Sequence, residues 1–391
     1  MRILLLQAGF NELGVIEQLH KMGHYIIAIG NQKGLIGQKE VDEYYDIDYS
    51  DKEYVLQFFL DKKMDRVCAC CNDTAVLTAC YIADKLGLEG YEKYDTAKTI
   101  FYKNLFKEYA IQNDISTVAA NTFCDLDTAK DYLVSANYPV IVKPIDMSGG
   151  KGVSRCDNYS QAMIALHNAF DYAREKKVVV ERFVEGSQHG FCTFLKDKKV
   201  VACCSNDEYS LINQYRVEVD LFPSSCHDMY KDILIEQTEK MANDLDLADG
   251  IFHMQYIVSD GQVYILEAMR RIIGNMYSIP AQKVCGFDWD YWEARANIGQ
   301  KCDIDTYCDK CLGYYSYRVI APKHNGVVKD VIIDNRLDKY IFSSIKLWKP
   351  NQVVTNYMSE TLGILFMQFG SQEEMHRITI DNNDWIKVIM E

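Results

Sequence analysis

Lys143 closes a β-branched run, Val140-Ile141-Val142, and is followed at once by Pro144 and then by Ser148-Gly149-Gly150-Lys151-Gly152. A cation at a strand end beside a glycine loop suits a polyphosphate. Glycines let backbone N–H groups approach an anion closely, and Lys151 adds a mobile charge. The same residues would also serve as a hairpin turn with two solvated lysines, so neighbouring stretches must decide. Glu181 ends a second apolar run, Val178-Val179-Val180. Lys143 and Glu181 are therefore expected at the ends of two nearby strands, one holding a phosphate and the other an amine-bearing ring. Gln255 lies in an apolar run over 252–258, and Glu267 ends another over 262–267, with Ser259-Asp260-Gly261 as the turn between them. As antiparallel neighbours the two side chains are expected to face one pocket. Arg270 and Arg271 come next. A carboxylate, an amide oxygen and arginines at one strand end suit a magnesium-bound polyphosphate, because Mg²⁺ takes hard oxygen ligands and keeps several waters.

The elements that must carry these residues alternate in type. Residues 3–6, a glycine turn, a helix through His20 and a strand over 25–29 read as a βαβ unit. Its Gly9 and Gly14 form a degenerate dinucleotide fingerprint, which reads chiefly as a tight turn needing glycine and more weakly as a nicotinamide site in an oxidoreductase. A helix over 52–62, a strand over 66–71 and a helix over 74–86 capped by Asn72-Asp73 complete a small doubly wound unit. A helical connector follows over 96–118, with Lys103 and Lys107 on one face. Helices are expected over 127–136, 161–175 and 227–244, and a hairpin over 191–204. The polar stretch 205–220 is long for a connection and reads as a lid or substrate loop. Helix over 288–300 gives way to a β-rich tail.

Composition narrows the class. The 391 residues, 48% hydrophobic and 25% charged, suit a soluble chain of two or three domains. A net charge of −14 argues against a nucleic-acid surface, which needs clustered Lys and Arg. No apolar run reaches membrane-spanning length. The 14 cysteines are mostly adjacent or inside apolar runs, as expected of core thiols in a reducing cytoplasm. Cys302, Cys308, Cys311 and His324 supply only half of a usual structural zinc pattern.

Taken in order, these motifs resemble the ATP-grasp superfamily, in the branch of the carbamoyl phosphate synthetase large subunit and the carboxylate–amine ligases. Tyr102-Lys103 through Lys107, with 113–117 behind it, is similar to the family's first nucleotide lysine and the turn that follows, with Asp114 and Ser116 where Gly and Pro are usual. Pro139 to Pro144 resembles the second lysine motif, and Ser148, Gly149, Gly150, Lys151 and Gly152 the loop over the phosphates. Val180-Glu181-Arg182-Phe183-Val184 is similar to the hinge that reads the adenine edge. Glu267-Ala268-Met269-Arg270-Arg271 resembles the family's Glu-x-Asn-x-Arg, and Gln255 stands at a metal-ligating position. Gln188 takes the place of a ribose-binding glutamate. Met269 replaces an asparagine at the second metal site, where a thioether serves a hard ion poorly.

The resemblance implies an α/β and α+β multidomain fold: a Rossmann-like pre-ATP-grasp domain over 1–97, a two-lobed ATP-grasp domain over 98–300 with the nucleotide and metal between its lobes, and a small C-terminal β-rich module over 301–391. It implies ATP and Mg²⁺ as cofactors. Lys103, Lys143, Ser148, Gly149, Gly150, Glu181, Phe183, Val184 and Gln188 would hold the nucleotide, and Gln255 and Glu267 the metal. Lys151 would cover the transferred phosphoryl group, and Arg271 would steady an acyl phosphate. The implied activity joins a small carboxylate to an amine through that acyl phosphate; the alternative is an ATP-binding regulator with weakened catalysis. Nucleic acid and membrane are not expected partners, and a homodimer is left open.

Overall fold

The computed structural model describes residues 1–391, the side chain of Asn383 excepted. Its first sheet is parallel, in the order Glu43–Asp46, Tyr25–Gly30, Arg2–Leu6, Arg66–Cys68. Helices cover both faces, which is why the central strands read as unbroken apolar runs. The helix Asp73–Leu86 starts where expected, because the Asn72 side chain accepts the Thr74 and Ala75 N–H groups at 3.0 and 3.3 Å.

A second, smaller sheet runs Ala120–Phe123, Val178–Arg182, Val140–Pro144, Ser154–Cys156. Its pleat separates two functions. Val140, Val142, Val178 and Val180 pack beneath the helices Leu126–Val134 and Tyr159–Tyr172. Ile141, Lys143 and Glu181 take the opposite face, with Ile141 directly across from Glu181. Both polar residues thereby open towards the rest of the molecule.

The third sheet has eight strands, in the order Gln262–Met269, Gly250–Ser259, Ser187–Lys196, Lys199–Tyr209, Val219–Phe222, Tyr314–Ile320, Gly363–Phe369, Ile341–Lys346. Gln255 is paired with Glu267 on one side and with Gly190 on the other. The β-rich C-terminal residues extend this same sheet, so a boundary at 300 falls inside one continuous ladder. Three further strands, Gln352–Val354, Gly326–Ile333 and Ile386–Met390, form a separate small sheet.

The stretch 205–220 is not one long loop. Ser205, Asn206 and Asp207 are buried on the strand Lys199–Tyr209, and Val219–Phe222 pairs with it, leaving a connection over 210–218. Polar residues hid that strand because each is satisfied inside the fold: Asp207, for one, accepts from His189, Ser224 and Ser225. The two lobes are stitched together by Ile265 N–H donating to Ser116 O at 2.9 Å and by Thr117 Oγ1 donating to Ile265 O at 2.6 Å. Among the described residues no helix is long and apolar enough to cross a membrane.

Candidate active site

The small sheet and the first strands of the large one face each other across a cleft of about 950 Å³, counted out to its mouth. Lys103, Lys143, Ser148, Gly149, Gly150, Glu181, Phe183, Val184, Gln188, Gln255 and Glu267 all line it. Residues separated by more than 160 positions in the chain therefore meet in one space, and Lys143 and Glu267 share it.

Its inner end is a buried charge cluster. Lys143 Nζ lies 2.6 Å from Glu181 Oε1, and Lys107 Nζ lies 3.5 Å from Glu181 Oε2. Burial alone would raise the Glu181 carboxyl, but Lys107 and Lys143 outweigh it and hold the group below its ordinary value. Burial pulls Lys107 down to about 8. The Glu181 carboxylate is thus occupied by lysines and positions them, which differs from the expectation that it reads the adenine edge directly. Lys103 Nζ donates to Met147 O at 2.7 Å and stands 3.5 Å from Glu267 Oε2.

At the end lined by Glu267, Gln255 and Gln188 each donate Nε2 to Glu208, at 2.9 and 2.7 Å to its Oε2. Holding both amide nitrogens leaves each amide oxygen on the far side, where a cation or hydroxyl would meet it. Burial raises the Glu208 carboxyl to about 7, against the pull of the two amides. Among the described residues no group of three or more His, Cys, Asp or Glu could hold a metal unaided. Glu267 and Gln255 offer hard oxygen donors to the cleft, which is the chemistry Mg²⁺ takes when phosphate oxygens and water complete its shell. Clustered lysines, hard oxygen donors and a glycine wall together fit a nucleotide triphosphate.

That wall is tight. Gly150 has φ +73°, and a Cβ there would lie 2.4 Å from Tyr215 O, so only glycine lets loop 148–152 meet loop 210–218. Tyr215 OH accepts the Arg155 N–H at 2.5 Å. Lys151 is exposed and does not line the cleft. Arg271 does not line it either. Its guanidinium grips Asp73 of the first unit, Nε to Oδ1 at 2.5 Å and NH2 to Oδ2 at 3.0 Å, and touches Met269 Sδ at 3.1 Å. Burial opposes that charge, and Asp73 more than offsets it.

The other candidate turns are filled. Gly9 N–H donates to Glu12 Oε2 at 2.7 Å, and a Cβ at Gly14 would lie 2.1 Å from Asp290 Oδ2. Glycine there answers close packing, not a ligand. Cys302 is buried, Cys311 is exposed, and Cys308 Sγ donates to Cys285 O at 2.8 Å. His324 lies in an exposed turn.

Residues 97–214 match the phosphoribosylglycinamide synthetase ATP-grasp (A) domain family. That stretch carries an ATP-grasp domain. Phosphoribosylamine–glycine ligase of Agrobacterium fabrum is 24% identical to it over 271 residues, 64% of this chain and 63% of the relative. The aligned part thus spans less than two thirds of that relative's length. Two solved structures share the whole fold: an L-amino acid ligase from Bacillus licheniformis (TM-score 0.84, 15% identity, 100% of this chain and 98% of the other) and the biotin carboxylase domain of Hydrogenobacter thermophilus 2-oxoglutarate carboxylase (TM-score 0.80, 17% identity, 100% and 90%), the latter in complex with MgADP and bicarbonate.

Glu208, Tyr215 and Asp73 are the neighbours that the motifs leave out, and Lys107, part of the first lysine motif, carries no site role in it. The Val-Val-Val-Glu pattern pointed to Glu181 but not to its second lysine. Glu208 had a signal: it follows Asn206-Asp207 on an apolar hairpin strand, and a run of polar residues continuing such a strand marks a site face. Asp73 reads in the sequence only as part of a helix cap.

Proposed function

We propose that this protein is an ATP- and Mg²⁺-dependent ligase that joins a small carboxylate to an amine. The carboxylate attacks the γ-phosphorus of ATP and ADP leaves; the resulting acyl phosphate is then attacked by the amine, forming the C–N bond and releasing phosphate. The observation that carries this reading is the convergence of Lys103, Lys143, Gln255 and Glu267 on one cleft beneath a glycine loop. Converging negative charges need offsetting before transfer, and fixed cations do so without reorganising as the reaction proceeds. Lys103 and Lys143 would neutralise the phosphates, Glu181 and Lys107 would hold Lys143 in place, and Gln188 backed by Glu208 would take the ribose. Mg²⁺, bound by Glu267 and Gln255, would supply charge neutralisation at the phosphates.

Arg271 is engaged by Asp73, so a role in steadying the acyl phosphate requires exchange of that partner for substrate. Its neighbourhood with Glu267 supports the assignment. Lys151, exposed on the glycine loop, is proposed to reach the transferred group when the loop folds over ATP. The chain's similarity to phosphoribosylamine–glycine ligase and to an L-amino acid ligase supports a C–N bond as the product. ADP release measured with Mg²⁺ across a panel of amino acids and other small acids and amines tests the reading. Turnover that requires one acid and one amine together supports it. Nucleotide binding with no turnover on any pair would leave a binder instead.

A further inference from the structure

A second cavity, about 360 Å³, lies away from the nucleotide cleft between the strand Tyr314–Ile320, the C-terminal strand Ile386–Met390 and the start of loop 210–218. Small-molecule sites typically hold about 300–1,000 Å³ with apolar walls and a few placed polar groups. The walls fit that description: Leu211, Ile212, Ile320, Val388 and Met390 supply apolar surface. The polar groups are lopsided. Arg318, almost fully buried, donates to Thr379 O at 2.9 Å and still lines the space, and Lys323 and Lys387 stand exposed at its edge. On a chain of net charge −14, a pocket edged by cations selects for an anion. Its carboxylates limit that anion's charge. Glu218, also buried, accepts the Leu211 and Ile212 N–H groups at 2.7 Å each, and Asp384 lies in the wall. A dianion would meet that repulsion, whereas a carboxylate presents one negative charge to Lys323 and Lys387.

Loop 210–218 joins the two cavities. Leu211 and Ile212 line the second, Gln214 and Tyr215 line the nucleotide cleft, and Tyr215 O lies against Gly150. Arg216 NH1 fastens the loop to Glu360 O at 2.9 Å, and Asn213 Nδ2 fastens it to Met358 O at 3.2 Å. Ordering one end of so short a connection orders the other.

We propose that this cavity binds an amphipathic monocarboxylate, an apolar tail with one anionic head, and that the bound molecule steadies loop 210–218 over the nucleotide cleft. The second half rests on the nucleotide reading of the cleft; the first half does not.

The test is calorimetric titration of the full chain with decanoate, alone and in the presence of Mg²⁺ and a non-hydrolysable ATP analogue. One-to-one saturation is expected, weakened at least tenfold by Lys387→Glu and lost in Val388→Trp, which fills the space. Decanol should bind at least tenfold more weakly than decanoate. Circular dichroism checks that both variants fold, and Lys387→Glu decides if Val388→Trp does not. No saturable binding to the wild-type chain, equal binding of decanol, or decanoate binding unchanged in a folded variant overturns the site. The coupling predicts that decanoate tightens analogue binding at least threefold, and by linkage that the analogue tightens decanoate equally. An unchanged analogue affinity overturns the coupling. Failure of the analogue to bind at all overturns the proposed function while the decanoate titration still stands by itself.

Discussion

Two turns in this molecule start from the same material and end in opposite uses. Each follows a buried strand, and each carries glycines at close spacing: residues 9–14 after Arg2–Leu6, and residues 148–152 after Val140–Pro144. In the first, Glu12 fills the turn and takes the Gly9 N–H, while Asp290 presses on Gly14. In the second, the loop borders a cleft with Lys103, Lys143 and Glu267 on its walls. Glycine spacing is thus a statement about close approach; what approaches is set by residues far along the chain.

The largest expected contrast is catalytic. Lys143→Ala and Glu267→Ala should each cut ATP turnover by on the order of 10²–10³-fold, the scale of removing one preorganised electrostatic partner. Both should fold, as checked by circular dichroism, and normal turnover in either would break the comparison.

On the other turn the expected signature is stability with a pH dependence. Burial raises the Glu12 carboxyl from its ordinary 4.5 to about 7. The folded state therefore holds a proton that the unfolded state releases earlier. Stability from this group is complete below pH 4.5 and is lost as pH rises to about 7, amounting to about 3 kcal/mol. Glu12→Gln should flatten that part of a denaturant series across pH and leave nucleotide affinity unchanged. An unaltered slope would mean that Glu12 is not buried as described.

Paired glycine substitutions sharpen the contrast further. Gly14→Ala forces a Cβ into Asp290 and should cost about 1–3 kcal/mol of stability with nucleotide binding intact. Gly150→Ala pays for a left-handed backbone and a clash with Tyr215, about 1–2 kcal/mol against the closed arrangement, and should weaken nucleotide binding about tenfold with little loss of stability. Reversed outcomes would exchange the roles of the two turns. The smallest effect is expected at Glu208. Because its carboxyl is raised to about 7, the ionised form that holds Gln188 and Gln255 accumulates above that pH. Mg²⁺–nucleotide affinity should rise severalfold between pH 6 and 8, and Glu208→Gln should remove the rise.

Strand ends were legible because apolar runs and turn chemistry are local. Val140-Ile141-Val142 announced Lys143, and Ser259-Asp260-Gly261 set Gln255 opposite Glu267. The helix His227–Asp244 was readable to the residue. Pairings across the chain were not. Asp73 and Arg271 are 198 residues apart, and nothing near either announces the other. Glu208 hides in a polar run that reads as a loop, since buried polar residues look like solvated ones until their partners are in place. Arg271 and Lys151 share motifs with residues of the cleft yet stand outside its walls, because a motif gives order along the chain and not the direction of a side chain.

The central claim is that one adenine nucleotide bridges the lysines of the small sheet and the oxygen donors of the large one. Equilibrium binding of a non-hydrolysable ATP analogue, with and without Mg²⁺, to the wild-type chain, Lys143→Ala and Glu267→Ala tests it most directly. One saturable site is expected, weakened at least tenfold by Lys143→Ala, with its Mg²⁺ dependence largely lost in Glu267→Ala. Equal affinity and equal Mg²⁺ dependence in all three proteins would contradict it.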